Sequence, residues 1–197
     1  MRKLILGLGF LCAACSAQED NPVVVLNTDV GTIEITVYPN KAPISAADFL
    51  NHVDGGHYDG QGFYRVVRPD NDPRNMGMSL IQGGRLDKER VFAPIEHELT
   101  TDTGLSNANG AVAIARLESG SGSAAYFFIN IGNKDFLDTG GTRNPDAQGY
   151  ATFGRVTKGL DTARTIQAMQ TELESGDIVT RGQTLSQPVT ITRAYRK

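Results

Sequence analysis

One arginine stands where β-strands rarely carry a charge. Phe63-Tyr64-Arg65-Val66-Val67 sets Arg65 among aromatic and β-branched neighbours, and Ile81-Gln82-Gly83-Gly84 follows after a polar excursion. Further along come Ala113-Ile114-Ala115-Arg116, Tyr126-Phe127-Phe128-Ile129-Asn130, Phe136-Leu137-Asp138 and Tyr150-Ala151-Thr152-Phe153-Gly154. A guanidinium stays charged at any working pH, so it can donate hydrogen bonds but cannot shuttle a proton. Aromatic and aliphatic side chains around a lone Arg and Gln suit a shallow apolar groove with a few polar anchors, a shape that takes peptide.

Other chemistries lack their residues. The chain has no G-x-S-x-G elbow, no H-E-x-x-H, no phosphate-binding P-loop and no G-x-G-x-x-G opening a helix after a strand. Of the three histidines, His52, His57 and His97, only His97 stands between carboxylates, in Glu96-His97-Glu98. Neighbours in an extended segment point to opposite faces and cannot converge on one metal, so that stretch is expected to be a solvated loop. Asp70-Asn71-Asp72-Pro73 has oxygen ligands but no known calcium spacing, and turn chemistry accounts for it. Ser119-Gly120-Ser121-Gly122-Ser123 lacks the lysine and helix start of a phosphate cradle and is expected to be a flexible loop.

The elements that must position these residues are mostly strands. Val23 to Leu26 is a short apolar run; Ile33, Ile35 and Val37 alternate with Glu34, Thr36 and Tyr38, the period of a half-buried strand. Asp29-Val30-Gly31 between them predicts a hairpin. Pro43 is placed to open a helix whose Ala46, Phe49, Leu50 and Val53 form one apolar stripe, and Gly55-Gly56 ends it. A second helix is expected from about Leu160 to Gln170, with Leu160, Ala163 and Ile166 inward. Phe63 to Val67, Ala111 to Ala115, Tyr126 to Ile131, Ala151 to Val156 and Val189 to Ala194 all read as strands. Many short strands and two helices predict a closed or sandwiched β architecture with the helices over its open ends.

The 197 residues, with 40% hydrophobic and 21% charged, describe one ordinary globular domain. A net charge of -3 offers no basic footprint, which argues against nucleic acid. Both cysteines, Cys12 and Cys15, fall at the N-terminus, so the folded body holds neither a disulfide framework nor a multi-cysteine metal site. Met1-Arg2-Lys3 followed by the apolar run Leu4 to Ala14 has the form of an export signal and is far shorter than a membrane span. Cys12-Ala13-Ala14-Cys15 resembles a bacterial lipobox; Cys15-Ser16-Ala17 could also serve an ordinary signal peptidase. The expected organisation is a signal at 1–14, lipidation at Cys15, a tether at 15–22 and a domain at 23–197. A doubly acylated Cys15 would hold the protein at a membrane surface, in a periplasmic location.

Taken in order, Phe63 to Val67, Gln82-Gly83-Gly84, Phe127-Phe128-Ile129 and Phe153-Gly154, with the helix at Ala42 to Phe49, resemble a cyclophilin-type peptidyl-prolyl cis-trans isomerase of the exported bacterial sort. The resemblance implies an eight-stranded antiparallel barrel closed by two α-helices, no cofactor or metal, and proline-containing segments of unfolded or exported proteins as substrates. It assigns Arg65 as the catalytic group. Phe128 becomes the floor of a proline pocket with Leu80 and Leu137 as walls, Met76 or Met78 being alternatives, and Gln82 contacts the substrate backbone and orients the arginine. Ala115 and Arg116 match a strand edge that pairs with peptide, and Phe63 falls in the same motif as a binding residue. Phe136 stands where many eukaryotic members have Trp, and Tyr150 where they often have His. Phenylalanine lacks the indole donor, so cyclosporin A is expected to bind weakly. The segments Arg68 to Ser79 and Thr139 to Gly149 look enlarged relative to the family. A non-catalytic proline-peptide-binding module or chaperone on the same fold is the alternative, and a lipocalin-type barrel is disfavoured because it has no need of Gln82-Gly83-Gly84.

Overall fold

The computed structural model describes residues 21–86, 92–174 and 180–197. The export segment and Cys15 lie outside them. Pro22, the last residue of the expected tether, already joins the domain, its carbonyl accepting the Val37 N–H at 2.9 Å.

In chain order the elements are β1 (Val23–Thr28), β2 (Gly31–Val37), α1 (Pro43–Asp54), β3 (Gly62–Val67), β4 (Leu80–Gly84), α2 (Thr100–Thr103), β5 (Ala111–Ile114), β6 (Tyr126–Asn130), β7 (Thr152–Lys158), α3 (Leu160–Gln167) and β8 (Thr184–Arg196). The strands close into an antiparallel barrel in the order β1-β2-β7-β5-β6-β4-β3-β8. The four-residue α2 is an addition to the two helices expected, and α3 stops three residues early. Helix α1 packs on β7 and β8, and α3 on β2, β3 and β4. Both send apolar side chains into the main core: Ala46, Phe49, Leu50 and Val53 from α1, Ala163 and Ile166 from α3.

Alternation along the strands splits the apolar residues between two clusters. Ile81, Val112, Ile114, Phe127 and Ile129 fill the barrel, where Phe127 meets the rings of Phe49, Tyr58 and Phe63 edge-on. Their immediate neighbours Leu80, Ala113 and Phe128 face the other way, into a smaller cluster with Val67, Met78 and Leu137.

Strict alternation would also place Phe63 and Arg65 together. The register of β3 instead shifts between them against both β4 and β8. This bulge turns Phe63 and Val66 inward to the main core, while Tyr64 and Arg65 stay half-buried. The two glycines after Gln82 are steric requirements of the same region. A Cβ at Gly83 would lie 2.6 Å from the Phe63 ring, and one at Gly84, where φ is +122°, would lie 2.1 Å from the Ala125 carbonyl oxygen.

Three loops are more ordered than their composition predicts. Glu98 is no solvated side chain: its carboxylate accepts the Ile44 and Ser45 N–H groups at 3.0 and 2.8 Å, capping an α1 that has no capping side chain of its own. His97 Nε2 lies 3.1 Å from the Gln148 carbonyl. Asp72 is buried and accepts the Met76 and Met78 N–H groups, so its turn organises the 68–79 segment. Arg74 then donates to the Arg143 carbonyl at 2.7 Å, tying the two enlarged loops together. In the serine-rich segment, Ser121 Oγ accepts the Leu117 and Glu118 N–H groups and closes a defined turn.

Candidate active site

The pairing register builds the site. Arg65 pairs with Gln82, Gln82 with Phe128 and Phe128 with Ala113, so one rung across β3, β4, β6 and β5 aligns a cation, an amide, an aromatic ring and a small residue on one face. An open groove of about 300 Å³ runs over this rung.

Its polar end is held by a chain of hydrogen bonds. Arg65 Nη1 donates to Gln82 Oε1 at 2.7 Å, and Nε and Nη2 both donate to Gln183 Oε1, at 2.9 and 2.6 Å. The other end of the Gln82 amide donates to the Tyr64 hydroxyl at 2.8 Å, which fixes which way that amide faces. Burial raises the Tyr64 phenol to about 12, so it remains a neutral partner. These three bonds, donated to two amide oxygens, leave the guanidinium plane little rotational freedom.

Its apolar end is the smaller cluster. Phe128 lies beneath the groove, with Met78 and Leu80 beside it, and Tyr150 meets the Phe128 ring edge-on at 5.2 Å. Met78 reaches this position because the Asp72 turn holds its N–H; Met76, bonded to the same carboxylate, does not border the groove. Ala115, just past the end of β5, keeps the strand's pairing by donating to the Tyr126 carbonyl at 3.0 Å.

Arg116 borders the groove, yet its charge is spent on the neighbouring loop. It makes a bidentate pair with Asp146 at 2.8 and 3.0 Å, donates through Nε to the Gly149 carbonyl at 2.8 Å, and sits 5.3 Å from the Tyr150 ring centre. The guanidinium beside it pushes the Asp146 carboxyl down to about 2. The 139–149 segment thus shapes one wall of the groove through Tyr150.

Seven of the residues expected at the site, Arg65, Leu80, Gln82, Ala115, Arg116, Phe128 and Tyr150, border one groove. Three do not. Phe63 is a correction: the bulge turns it into the barrel core, where it is fully buried. Leu137 is fully buried in the cluster around Phe128 rather than at the groove surface, and Phe136, half-buried, packs against that cluster. Leu117, Ser121 and Tyr126 also line the rim, beyond the residues that the sequence motifs indicate. Tyr126 was accessible to alternation, being two residues from Phe128 on the same strand. Leu117, 94% exposed at the rim, carries no such signal.

The described residues thus form a closed antiparallel barrel bearing an external groove, apolar at the Phe128 end and closed at the other by a fixed guanidinium. The family model described as cyclophilin type peptidyl-prolyl cis-trans isomerase/CLD matches residues 23–196. A peptidyl-prolyl cis-trans isomerase of Acinetobacter baylyi is 37% identical over 165 residues, covering 82% of this chain and 79% of that protein. One from Streptomyces antibioticus is 36% identical over 157 residues, covering 78% and 87%. Among solved structures, a cyclophilin type isomerase of Cryptosporidium parvum superposes with a TM-score of 0.64 over 90% of this chain and 98% of that one, at 17% identity, and so shares the fold. The chain belongs to the cyclophilin-type peptidyl-prolyl cis-trans isomerase family, and its activity class is that of a peptidyl-prolyl cis-trans isomerase.

Proposed function

We propose that this isomerase accelerates X-Pro rotation in exported proteins as they fold, at a periplasmic membrane surface to which a lipid on Cys15 anchors it, and that Arg65 is its catalytic group. The chemistry needs no covalent step. Rotation about a peptide bond faces about 18–20 kcal/mol of amide resonance, and an X-Pro bond left alone interconverts over tens of seconds or longer. Twisting the amide breaks that resonance and returns a lone pair to the prolyl nitrogen. A donor aimed at that nitrogen binds the twisted amide and not the planar one, which is the differential binding that lowers a barrier.

The observation that carries this mechanism is the Arg65 guanidinium, held by three hydrogen bonds at the polar end of a groove floored by Phe128. Phe128, Met78 and Leu80 take the proline ring, Gln82 and Ala115 take the peptide backbone, and Arg65 meets the twisting nitrogen. A related structure from Cryptosporidium parvum was determined in the presence of the dipeptide Ala-Pro, which supports a proline-containing ligand for this fold. Half-buried Phe136 supplies no N–H donor, so cyclosporin A is a weak inhibitor. Export and anchoring rest on the short apolar run before Cys15.

NMR exchange on an Ala-Pro peptide tests the catalytic part: acceleration by the wild type is expected, and its absence would contradict it. Mass spectrometry of the mature N-terminus tests the anchor. A diacylated Cys15 is expected, and a chain starting elsewhere without lipid would overturn it.

A further inference from the structure

The geometry points to Gln183 as the positioning residue that aims the Arg65 guanidinium, with the 68–79 loop acting through it. This rests on the role of Arg65 proposed above. Gln183 lies in the turn before β8, 118 residues from Arg65 in the chain, and is 1% exposed. Its Oε1 accepts from both Nε and Nη2, at 2.9 and 2.6 Å, clasping one edge of the guanidinium while Gln82 holds Nη1. The Gln82 contact fixes one nitrogen of the plane. The two-pronged contact with Gln183 fixes the opposite edge, so the two amides together define its orientation.

The Gln183 amide is itself aimed. Its Nε2 donates to the Asn71 carbonyl at 2.8 Å, so the oxygen must face Arg65. Its backbone carbonyl accepts the Val66 N–H at 2.8 Å, one residue from the arginine. Asn71 is fixed in turn: its Nδ2 donates to the Gly182 carbonyl at 2.9 Å and the Val66 carbonyl at 3.3 Å, and its Oδ1 accepts the Arg68 N–H at 2.7 Å. The network closes on the backbone at both ends of the Arg65–Gln183 contact. An enlarged loop with no side chain but Met78 in the groove thereby gains a role: it orients the amide that orients the cation.

An amide suits this position better than a carboxylate. A glutamate could accept the same two bonds, but its charge would oppose the positive potential that the twisted nitrogen needs. It would also lose the donor to Asn71. A buried Gln with both ends satisfied holds the plane and leaves the charge in place.

Gln183→Met keeps the length of the side chain and removes both polar ends. Misorientation of a catalytic group by a fraction of an ångström costs on the order of ten- to a hundredfold in rate, and a loss of that size in kcat is expected. The groove itself is untouched, so KM should stay within about twofold. The deciding measurement is a double-mutant cycle by NMR exchange on an Ala-Pro peptide. Acting only through Arg65, Gln183→Met should cause no further loss in an Arg65→Ala background. The same fold-loss in both backgrounds, or a kcat within about twofold of wild type in the single variant, would overturn the inference. If Arg65→Ala alone leaves kcat intact, the proposed mechanism fails; if it collapses kcat and Gln183→Met does not, only the role of Gln183 fails. Should Gln183→Met not fold, Asn71→Ala removes the side chain that ties the 68–79 loop to Val66 and Gly182. It should lower kcat at least about threefold, again only when Arg65 is present, and a loss independent of Arg65 would count against the proposal.

Discussion

Replacing Arg116 with alanine should loosen one wall of the groove without touching Arg65. The side chain is 1% exposed and makes three hydrogen bonds, two to Asp146 and one to the Gly149 carbonyl. Breaking a fully buried ion pair costs about 3–5 kcal/mol. Asp146 retains 31% exposure and can rehydrate when its partner is gone, which brings the expected cost down to about 2–3 kcal/mol. For a domain of this size that corresponds to a Tm lower by about 4–12 °C. Tyr150 loses the cation beside its ring and the anchored backbone before it, so KM for an Ala-Pro peptide should rise by about three- to tenfold, with kcat held by the separate Arg65 network. The pair also has an acid signature. The Asp146 carboxyl is depressed from 3.8 to about 2 in the folded protein. A group depressed on folding stabilises above its unfolded value and loses that contribution as pH falls through the folded one. The difference in Tm between wild type and Arg116→Ala should therefore be full at pH 5 and shrink towards pH 2. Thermal denaturation across that range and steady-state kinetics at neutral pH measure both effects. A variant with unchanged Tm and unchanged KM would refute the assignment of Arg116 to the groove wall.

Two further substitutions probe the parts that hold the site. Gly84→Ala would force a Cβ to 2.1 Å from the Ala125 carbonyl oxygen at a φ of +122°, and a loss of about 3 kcal/mol or more is expected. Calorimetry should show Tm falling by at least about 6 °C, and an unchanged Tm would contradict the close approach. Phe136→Trp restores an indole donor beside the small cluster, and one hydrogen bond of about 1.4 kcal/mol corresponds to about tenfold tighter cyclosporin A in an inhibition titration. Equal, tight inhibition of both forms would show that the missing donor is irrelevant.

The barrel was legible because strand alternation and turn residues are local. Ile33, Ile35 and Val37 announce β2, and the stripe from Ala46 to Val53 announces α1, with no reference to distant partners. The rung of Arg65, Gln82, Phe128 and Ala113 was legible only in part: the motifs name three of its members, while register decides that they meet. Phe63 shares a motif with Arg65 but not a face, because the bulge between them turns it into the core, and a motif carries no trace of the shift. The role of Glu98 is equally hidden, since an acidic residue in a loop shows no trace of the helix N-terminus it caps. Gln183 gave no signal at all. Its contact with Arg65 joins residues from opposite ends of the domain, and a lone Gln in a polar turn looks like any surface residue. The Arg116–Asp146 pair spans two loops and is equally invisible to any short window.

The two ends of the groove are held by different means. Backbone pairing and amide hydrogen bonds fix Arg65, whereas a methionine, a leucine and a tyrosine held by a loop surround Phe128.

The most direct test of the central claim is kcat for an Ala-Pro peptide by NMR exchange in Arg65→Ala. Loss of a donor made only to the twisted amide should lower kcat by about a hundredfold or more, while peptide binding, floored by Phe128, stays within about threefold of wild type. Unchanged kcat in a folded Arg65→Ala protein would contradict the account.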